Sequence, residues 1–500
     1  MDDDTLRERL AVAYGTRLDG ESLRWDDQRE AAAVMLADRI AGLLGEPVVV
    51  AAEPGAAIGP PPWPRAPIPT GDRAAAVRDV VAWAAARGAV FDAVEIQISP
   101  AGNRTVHARR PIERQERIVF VPRDLILIDD NLDATPLGAR LVPSRDRLSN
   151  QQTPFATWLA AERAQPGSPW RPYLDALPAA PDTPGFRDEA DLMLLAATAA
   201  RAGVLAARHS LAADHAHLVE VLGDDAPTLA ALAWARAVTG SRTFKLMIDG
   251  LDCRGMVPIA EFFDHGPGDT TWSYDDSAGG LAITAARDLA AGEQIHLGYG
   301  EFANSHFVTH YGFAIDDNPD DIALLCFPPA ANPLVDVAAA CLWDHPLAAP
   351  IELEAGTRIE GGMRRALSLA RLRVASYREL IKATDAGRFE GRELLWLGAD
   401  VDRAALQLLA EAARANLARL VDPPPGDNPS AWAQTAAVIR AGERAVLAAI
   451  TELPERAAPY LADPSPWPWR RAAVSIAVDS RGGEALMRSY ILMIADELPR

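Results

Sequence analysis

GEQIHLGYGEFANSHFVTHYGF, residues 292–313, is rich in glycine and aromatic residues within this chain of 500 residues. From Gly298 to Gly312 it contains two tyrosines, three glycines and an asparagine. Glycine beside an aromatic residue lets the backbone come close to another segment or to a ligand. Two interpretations follow from the stretch itself: a narrow pocket with aromatic walls, or a hairpin whose aromatic side chains fill a core.

The composition is that of a globular protein, with 49% hydrophobic and 24% charged residues, and the length predicts roughly two to four domains. The net charge of −20 argues against broad binding to nucleic-acid phosphates and is compatible with a basic substrate. The acidic N-terminus is unlike a secretory signal, and there is no long apolar run. We therefore expect a cytoplasmic protein that binds neither nucleic acid nor a membrane.

Metal binding is not predicted. The three cysteines are far apart in sequence, with no CxC or CxxC spacing, which excludes a recognisable zinc cluster or disulfide framework. His215 and His217 are two residues apart in a segment with a helical pattern, so they would not share a helix face.

The pattern of the chain changes several times. We predict a helical N-terminal extension over residues 1–50 and a proline-rich linker over residues 51–72. Apolar and polar residues then alternate in VEIQI, residues 94–98, which begins a region of short strands. A helical stretch over about residues 150–243 interrupts this region, and a helical lobe follows over residues 331–500.

The two halves of the β region carry motifs of one family. The opening stretch matches GEQ-x4-YG-x3-N-x6-YGF, and PIAEFFDH, residues 258–265, stands where that family has P-x-x-D-x-x-N-H. SRTF, residues 241–244, resembles its SR-aromatic element, and residues 108–128 are similar to its A-x-R-D-I…V-P strand pair. Residues 73–330 thus resemble a SET-domain methyltransferase, of the branch with the Rubisco large-subunit lysine methyltransferase and the actin-histidine methyltransferase.

The resemblance implies an α+β fold: a SET β-fold of short strands split by a helical insert, followed by an all-α C-terminal lobe that holds a protein substrate. It also implies S-adenosylmethionine as methyl donor. An acceptor lysine must react as a neutral amine although its ordinary pKa is about 10.4. Desolvation beside a sulfonium would lower that pKa, and aromatic faces favour the cation.

Several residues take site roles by the same resemblance. Tyr299 matches the catalytic tyrosine, whose hydroxyl would orient the acceptor amine. Tyr311 and Phe313 match aromatic residues of the substrate channel, and Tyr274 falls where the branch has another substrate-facing aromatic. Phe244 stands where a bulky apolar residue suits a lysine chain.

The donor site is implied in the same way. Arg242 matches the arginine that binds the donor's carboxylate, with the bidentate geometry that guanidinium favours. Asp264 and His265 stand for the family's Asn-His pair, which holds the donor's adenine and amino-acid end. Asn103 and Thr105 occupy the positions of a Gly-x-Gly whose backbone approaches the donor.

The predicted function is a protein-lysine N-methyltransferase that transfers a methyl group in line within an aromatic channel. The alternatives are N-methylation of histidine, of a peptide or of a small-molecule amine, or a degenerate SET module that binds without catalysis. The departures at Asp264 and at residues 103–105 leave these alternatives open.

Overall fold

The structure is a computed structural model that describes residues 63–64, 72–100, 103–266, 268–327, 351–354, 362–390, 393–422, 430–462 and 483–497. The predicted N-terminal extension and most of the predicted linker lie outside these residues. Within the described ranges, no helix has the length and apolar character needed to cross a membrane. The predicted domain boundaries stay predictions.

The first part of the chain is a helix followed by short strands. Asp72 caps the helix by accepting the backbone N–H of Ala75 at 3.0 Å. The alternation after it forms an antiparallel hairpin in which Val94 lies opposite Ala108. The elements are α1 (Arg73–Ala86), β1 (Val94–Ile98), β2 (Arg104–Ala108), β3 (Arg117–Pro122) and β4 (Leu127–Ile128).

A helical insert follows, and its first helix begins at Asp130, earlier than the predicted start at about residue 150. Thr198 and Thr228 cap its two longer late helices through their hydroxyl groups. The insert contains α2 (Asp130–Asp133), α3 (Pro136–Leu141), α4 (Thr153–Ala164), α5 (Arg171–Ala176), α6 (Glu189–Met193), α7 (Ala199–Leu222) and α8 (Leu229–Arg242). The last helix runs without a break into the next strand, which fixes Arg242 at the junction.

The strands that return complete three small sheets. Their bounds are β5 (Thr243–Ile248), β6 (Leu251–Met256), β7 (Asp264–His265), β8 (Thr270–Asp275), β9 (Gly280–Ala285) and β10 (His296–Leu297). One sheet has the order β3-β9-β8 and another β4-β6-β5, both antiparallel. In the third, β7 and β10 pair in parallel and set His265 beside Leu297.

The second half of the opening stretch is a helix, α9 (Asn304–Tyr311). The hairpin interpretation of this stretch is therefore wrong. The backbone N–H of Asn304 at the helix start is bound by the Asp321 carboxylate at 2.8 Å. Gly312 ends the helix with a φ of 86°, and its N–H returns to the carbonyl of Phe307.

The C-terminal lobe is mainly helical but adds short strands that the pattern does not predict. Its elements are β11 (Ile322–Leu325), β12 (Ile351–Glu354), α10 (Gly362–Val374), α11 (Tyr377–Asp385), β13 (Phe389–Glu390), β14 (Glu393–Leu394), α12 (Ala399–Leu417), α13 (Ala431–Ala462) and α14 (Gly483–Glu497). The lobe has its own hydrophobic core, separate from the core around the SET strands.

Helix α13 joins the lobe to the insert. The indole Nε1 of Trp432 donates to the carbonyl of Asp191 at 2.9 Å. Glu443 accepts the backbone N–H of Ala199 at 2.7 Å. This carboxylate satisfies an otherwise free donor at the start of α7 and complements the helix dipole.

Candidate active site

A cavity of about 480 Å³ lies where the insert, the SET strands and α9 meet. Its size is within the range of small-molecule sites in proteins. It has an arginine-rich end and an aromatic end. The cavity is lined by Arg73, Asn103, Pro178, Ala180, Pro181, Asp182, Thr183, Ser241, Arg242, Glu261, Asp264, His265, Tyr299, Tyr311 and Phe313.

Glu261 is the centre of the arginine-rich end. Its carboxylate accepts from Arg104 at 2.6 Å and, through the same oxygen, from Arg242. The Glu261 side chain is 2% exposed and that of Arg104 is 6% exposed, while the Arg104 guanidinium also lies 4.3 Å from the Phe262 ring centroid. Arg242 is thus brought to the cavity as predicted, but it is already paired with a protein carboxylate.

The backbone before Glu261 is strained. Ile259 is fully buried and has a φ of 68°. A β-branched residue rarely adopts this conformation, because its side chain crowds the backbone there. The strain turns the chain into the short 3₁₀ segment Ala260–Phe262, which carries the Glu261 carboxylate to the arginines.

Arg73 is a cavity residue that the sequence reasoning missed. It is the first residue of α1, and its Nε is buried without a hydrogen-bond partner among the described residues. Burial lowers the pKa of Arg73, and the nearby charges of Arg104 and Arg242 lower it further. Its position at a helix start carries no local signal of this role. Arg73 and Arg242 thus give this end two guanidiniums that line the cavity, which makes it suited to an anionic group.

Tyr299 occupies the aromatic end. Its hydroxyl donates to the carbonyl of Phe263 at 2.6 Å, and its backbone N–H donates to Nδ1 of His265 at 3.1 Å. The second bond assigns the remaining ring proton of neutral His265 to Nε2. Burial lowers the pKa of His265, with a further contribution from His296. Burial also raises the pKa of Tyr299, so the phenol keeps its proton.

Aromatic rings cluster around the ring of Tyr299. The ring centroids of Tyr299 and Tyr311 are 5.0 Å apart, and those of His265 and Phe313 are 5.8 Å apart. Phe307 packs behind them, 5.2 Å from Phe313. The structure therefore brings together Tyr299, Tyr311, Phe313 and His265, all four of which were predicted as site residues.

Asp264 also lines the cavity and is exposed. Its carboxylate accepts from the side-chain amide of Gln294 at 2.9 Å. Asn103 also lines the cavity, with its backbone N–H bonded to the Ser99 hydroxyl at 3.1 Å. Both keep polar atoms available at the cavity.

Three predicted residues are not brought to this cavity. Phe244 is buried and packs edge-on against Trp272, with centroids 5.1 Å apart. Tyr274 lies on β8 opposite Leu281 of β9. The Thr105 hydroxyl is 3.1 Å from Nε2 of His107. None of the three is among the described residues that line the cavity, so their assigned roles stay untested predictions.

Asn304 braces the turn after Tyr299. Its Nδ2 donates to Asp321 at 3.0 Å and to the carbonyl of Ile315 at 2.9 Å, and its Oδ1 accepts from the N–H of Ile315 at 2.7 Å. Burial raises the pKa of Asp321 to about 6. The bonds fix the start of α9, whose last residue is Tyr311.

Metal chemistry is not suggested by the described residues. They contain no group of three or more histidine, cysteine, aspartate or glutamate side chains placed to hold an ion. His217 is buried and His215 binds the carbonyl of Pro227 at 3.0 Å.

Known proteins resemble this chain in sequence and in fold. No family model matches it. Over 255 residues, 49% of this chain and 43% of the relative, it is 28% identical to the actin-histidine N-methyltransferase of Danio rerio, and the values for that of Homo sapiens are the same. The chain thus spans less than half the length of these curated relatives.

Solved structures extend the likeness to most of the chain. The SET domain of LSMT bound to lysine and AdoHcy superposes with a TM-score of 0.62 at 19% identity, covering 83% of this chain and 99% of that chain. Rubisco LSMT bound to AdoMet gives a TM-score of 0.60, also at 19% identity. The predicted fold class is confirmed: the chain has an α+β SET fold with a C-terminal helical region, and it resembles the branch that contains Rubisco LSMT and the actin-histidine N-methyltransferases.

Proposed function

We propose that this chain is an S-adenosylmethionine-dependent N-methyltransferase that acts on a protein side chain. The observation that carries the proposal is the arrangement around Tyr299. Its hydroxyl is held by the Phe263 carbonyl at 2.6 Å, at the aromatic end of a cavity whose other end is lined by Arg73 and Arg242. The activity for which the relatives are named, N-methylation of actin histidine, supports the same reaction class.

The cavity residues fit the donor. Arg73 and Arg242 each have a buried Nε without a partner among the described residues, which suits the donor's carboxylate. Asp264 is exposed in the same cavity and suits the donor's ammonium group. The rings of Tyr299, Tyr311 and Phe313 suit a cationic sulfonium. When bound, the donor supplies an electrophilic methyl group.

The chain's own residues would position the acceptor. Because the Tyr299 O–H donates to Phe263, the phenol oxygen keeps lone pairs that can accept an N–H of the acceptor. This contact would aim the nitrogen lone pair at the methyl group. The surrounding rings exclude water and so favour a neutral amine over an ammonium.

The residue type that accepts the methyl group is the more specific part of the proposal. Lysine is the acceptor predicted from the sequence, while the names of the curated relatives favour histidine as a second candidate. The two differ in what the site must do. A lysine must lose a proton held with an ordinary pKa of about 10.4, whereas imidazole, at about 6.5, is already mostly neutral at pH 7. The predicted cytoplasmic location stays a prediction.

Two measurements test the proposal. Calorimetry with S-adenosylmethionine should give binding, and no binding at millimolar donor would leave the non-catalytic module as the better account. Transfer of a labelled methyl group into proteins of the source organism, followed by mass spectrometry, should then identify the modified residue. The rate of methyl transfer to lysine should keep rising as the pH is raised well above 7. The rate of transfer to histidine should level off near pH 7.

Tyr299→Phe is the decisive variant. It removes the hydroxyl and keeps the ring, so we expect transfer to fall about 100-fold or more, as for other positioned catalytic groups, with donor affinity nearly unchanged. Tyr460→Phe on α13, which does not line the cavity, is the matched control. Equal turnover of wild type and Tyr299→Phe would rule out the catalytic assignment.

A further inference from the structure

A loop of the insert forms one wall of the candidate active site. This insert loop, residues 178–187, connects α5 to α6. Its first half, from Pro178 to Thr183, lines the cavity. Its backbone also touches the YGF motif: a Cβ on Gly312 would lie 1.8 Å from the carbonyl oxygen of Asp182. The loop therefore packs directly on the backbone between Tyr311 and Phe313, and its position sets the width of the aromatic end.

One arginine of α7 binds the backbone of the second half of the insert loop, in addition to the ion pairs of Arg187 with Asp182 and Asp191. Arg208 donates through Nη2 to the carbonyl of Arg187 at 2.5 Å and to that of Gly185 at 3.1 Å. Its Nε donates to Gly185 as well, at 3.3 Å. Among the described residues no carboxylate forms an ion pair with Arg208, so backbone carbonyls are the main partners of this guanidinium.

Trp63 covers the same arginine. The Arg208 guanidinium lies 5.1 Å from the centroid of the Trp63 ring, within the range of a cation–π contact. Trp63 is partly buried and packs against the SET core. With Thr183, Gly185 and Phe186 of the insert loop, it lines a second, small cavity of about 80 Å³. Thr183 lines both cavities.

We propose that Trp63 is a positioning residue for the candidate active site, which it serves by holding Arg208 against the insert loop. The predicted effect of Trp63 on methyl transfer rests on the proposed function. The contact between Trp63 and Arg208, and its effect on the loop, does not. The contact makes Trp63 a part of the SET module, although this residue lies within residues 51–72, which the sequence predicts to be a proline-rich linker.

Two parts of the cavity should not depend on Trp63. The start of the insert loop is fixed separately, because Nε1 of Trp234 donates to the carbonyl of Pro178 at 2.8 Å. The arginine-rich end, at Arg73 and Arg242, takes no contact from Trp63 among the described residues. Loss of the Trp63 ring should therefore loosen the loop near Gly312 and leave donor binding intact.

The indole nitrogen provides a test of mechanism. Nε1 of Trp63 is buried and has no hydrogen-bond partner among the described residues. Phenylalanine keeps an aromatic face for Arg208 and removes this unsatisfied donor. Trp63→Phe should therefore behave like wild type, whereas Trp63→Ala removes the face and Trp63→Leu keeps only apolar volume.

The experiment compares these three variants in the full chain. Hydrogen exchange followed by mass spectrometry reports protection of residues 178–187, calorimetry reports affinity for S-adenosylmethionine, and labelled-methyl transfer into proteins of the source organism reports activity. We expect exchange of the loop to be about tenfold faster in Trp63→Ala, in line with the strength of a partly buried cation–π contact. Transfer should fall to a similar extent and donor affinity should stay within about twofold.

The matched control is Arg87→Met. Arg87 lies 5.3 Å from the Trp83 ring centroid, so this variant removes a comparable contact that does not touch the insert loop. It should leave loop protection unchanged. Rescue of both loop protection and transfer by Trp63→Phe, but not by Trp63→Leu, would support positioning through the aromatic face.

The experiment distinguishes a failure of the Trp63 proposal from a failure of the proposed function. Unchanged loop protection in Trp63→Ala, or a Trp63→Phe as impaired as Trp63→Ala, would overturn the role of Trp63. A wild-type chain that transfers no methyl group would overturn the proposed function and the catalytic consequence of the contact, while hydrogen exchange would still decide whether Trp63 holds the loop.

Discussion

Replacing Glu261 by glutamine should lower the free energy of unfolding more than the loss of an exposed ion pair would. The glutamate carboxylate accepts from Arg104 and Arg242 at once, with Arg73 lining the same cavity. Glutamine has almost the same shape but no charge. Its amide would leave the arginines without the anion that compensates them, and its NH₂ group can face a guanidinium only unfavourably.

The structure sets the size of the effect. Removing one partner of a buried ion pair costs about 3–5 kcal/mol, because a charge is left uncompensated in a poorly solvated place. The Arg104 side chain is 6% exposed and has little access to water, whereas that of Arg242 is 20% exposed and can be partly hydrated from the cavity. We therefore expect the lower part of that range, about 3 kcal/mol.

Urea unfolding of Glu261→Gln measures this loss directly. Glu116→Gln is the matched control, because Glu116 pairs with Arg110 at 2.5 Å on the surface. Such a pair contributes about 0–1 kcal/mol. Adding Arg104→Met to Glu261→Gln should recover part of the lost stability, since it removes the uncompensated cation.

A loss below about 1 kcal/mol in Glu261→Gln would refute this reasoning, because it would place the carboxylate in the energy range of surface pairs. So would strict additivity of the two substitutions, which would mean that Arg104 and Glu261 do not interact. Either result would also weaken the argument that Arg242 is held in place for a ligand.

Two further substitutions test the aromatic end and its surroundings. Gly312→Ala combines a φ of 86° with a Cβ 1.8 Å from the Asp182 carbonyl, and should cost about 3 kcal/mol in urea unfolding. Gly279→Ala, with a φ of 67° and open space around it, should cost about 1 kcal/mol, and equal losses would contradict the close approach. His310→Gln tests acid stability: burial lowers the pKa of His310 to about 4, so the unfolded chain binds the proton more tightly and stability is lost as pH falls below about 6.5. Between pH 7 and pH 5 the free energy of unfolding should fall by about 2 kcal/mol more in the wild type than in His310→Gln. Asp321 is present in both chains and so does not contribute to this difference. Parallel pH dependences of the two chains would show that His310 is not the source of the acid sensitivity.

Much of the fold follows from local patterns in the sequence. The alternation in residues 94–98 predicts β1 because a strand places neighbouring side chains on opposite faces. The Tyr299, Tyr311 and Phe313 cluster could be predicted because one continuous motif contains all three residues. The helix between them, α9, was not predicted, because it depends on Asp321, which lies beyond the motif and satisfies the free N–H at the helix start.

Other parts of the site depend on contacts between distant segments. Arg73, Glu261 and the insert loop meet at the cavity only through tertiary packing, and no sequence period marks them. Phe244 shows the opposite problem. Its position in the motif suggested a channel residue, but the direction of a side chain on a strand is fixed by the register of the sheet. In β5 it turns toward Trp272 rather than toward Tyr299.

Residues 103–105 are Asn-Arg-Thr where the resembled family has Gly-x-Gly. Glycine is required where the backbone needs a positive φ or where a Cβ would collide. Among the described residues with positive φ, neither Asn103 nor Thr105 occurs, and both belong to or adjoin the regular strand β2. The loss of the two glycines therefore imposes no left-handed strain on this backbone. What distinguishes the segment is the residue between them: Arg104 turns into the protein and shares the Glu261 carboxylate with Arg242. The middle position of the expected Gly-x-Gly is thus a buried charge in this chain, and replacement of Glu261 and Arg104 tests whether the carboxylate that the two arginines share is what holds Arg242 in place.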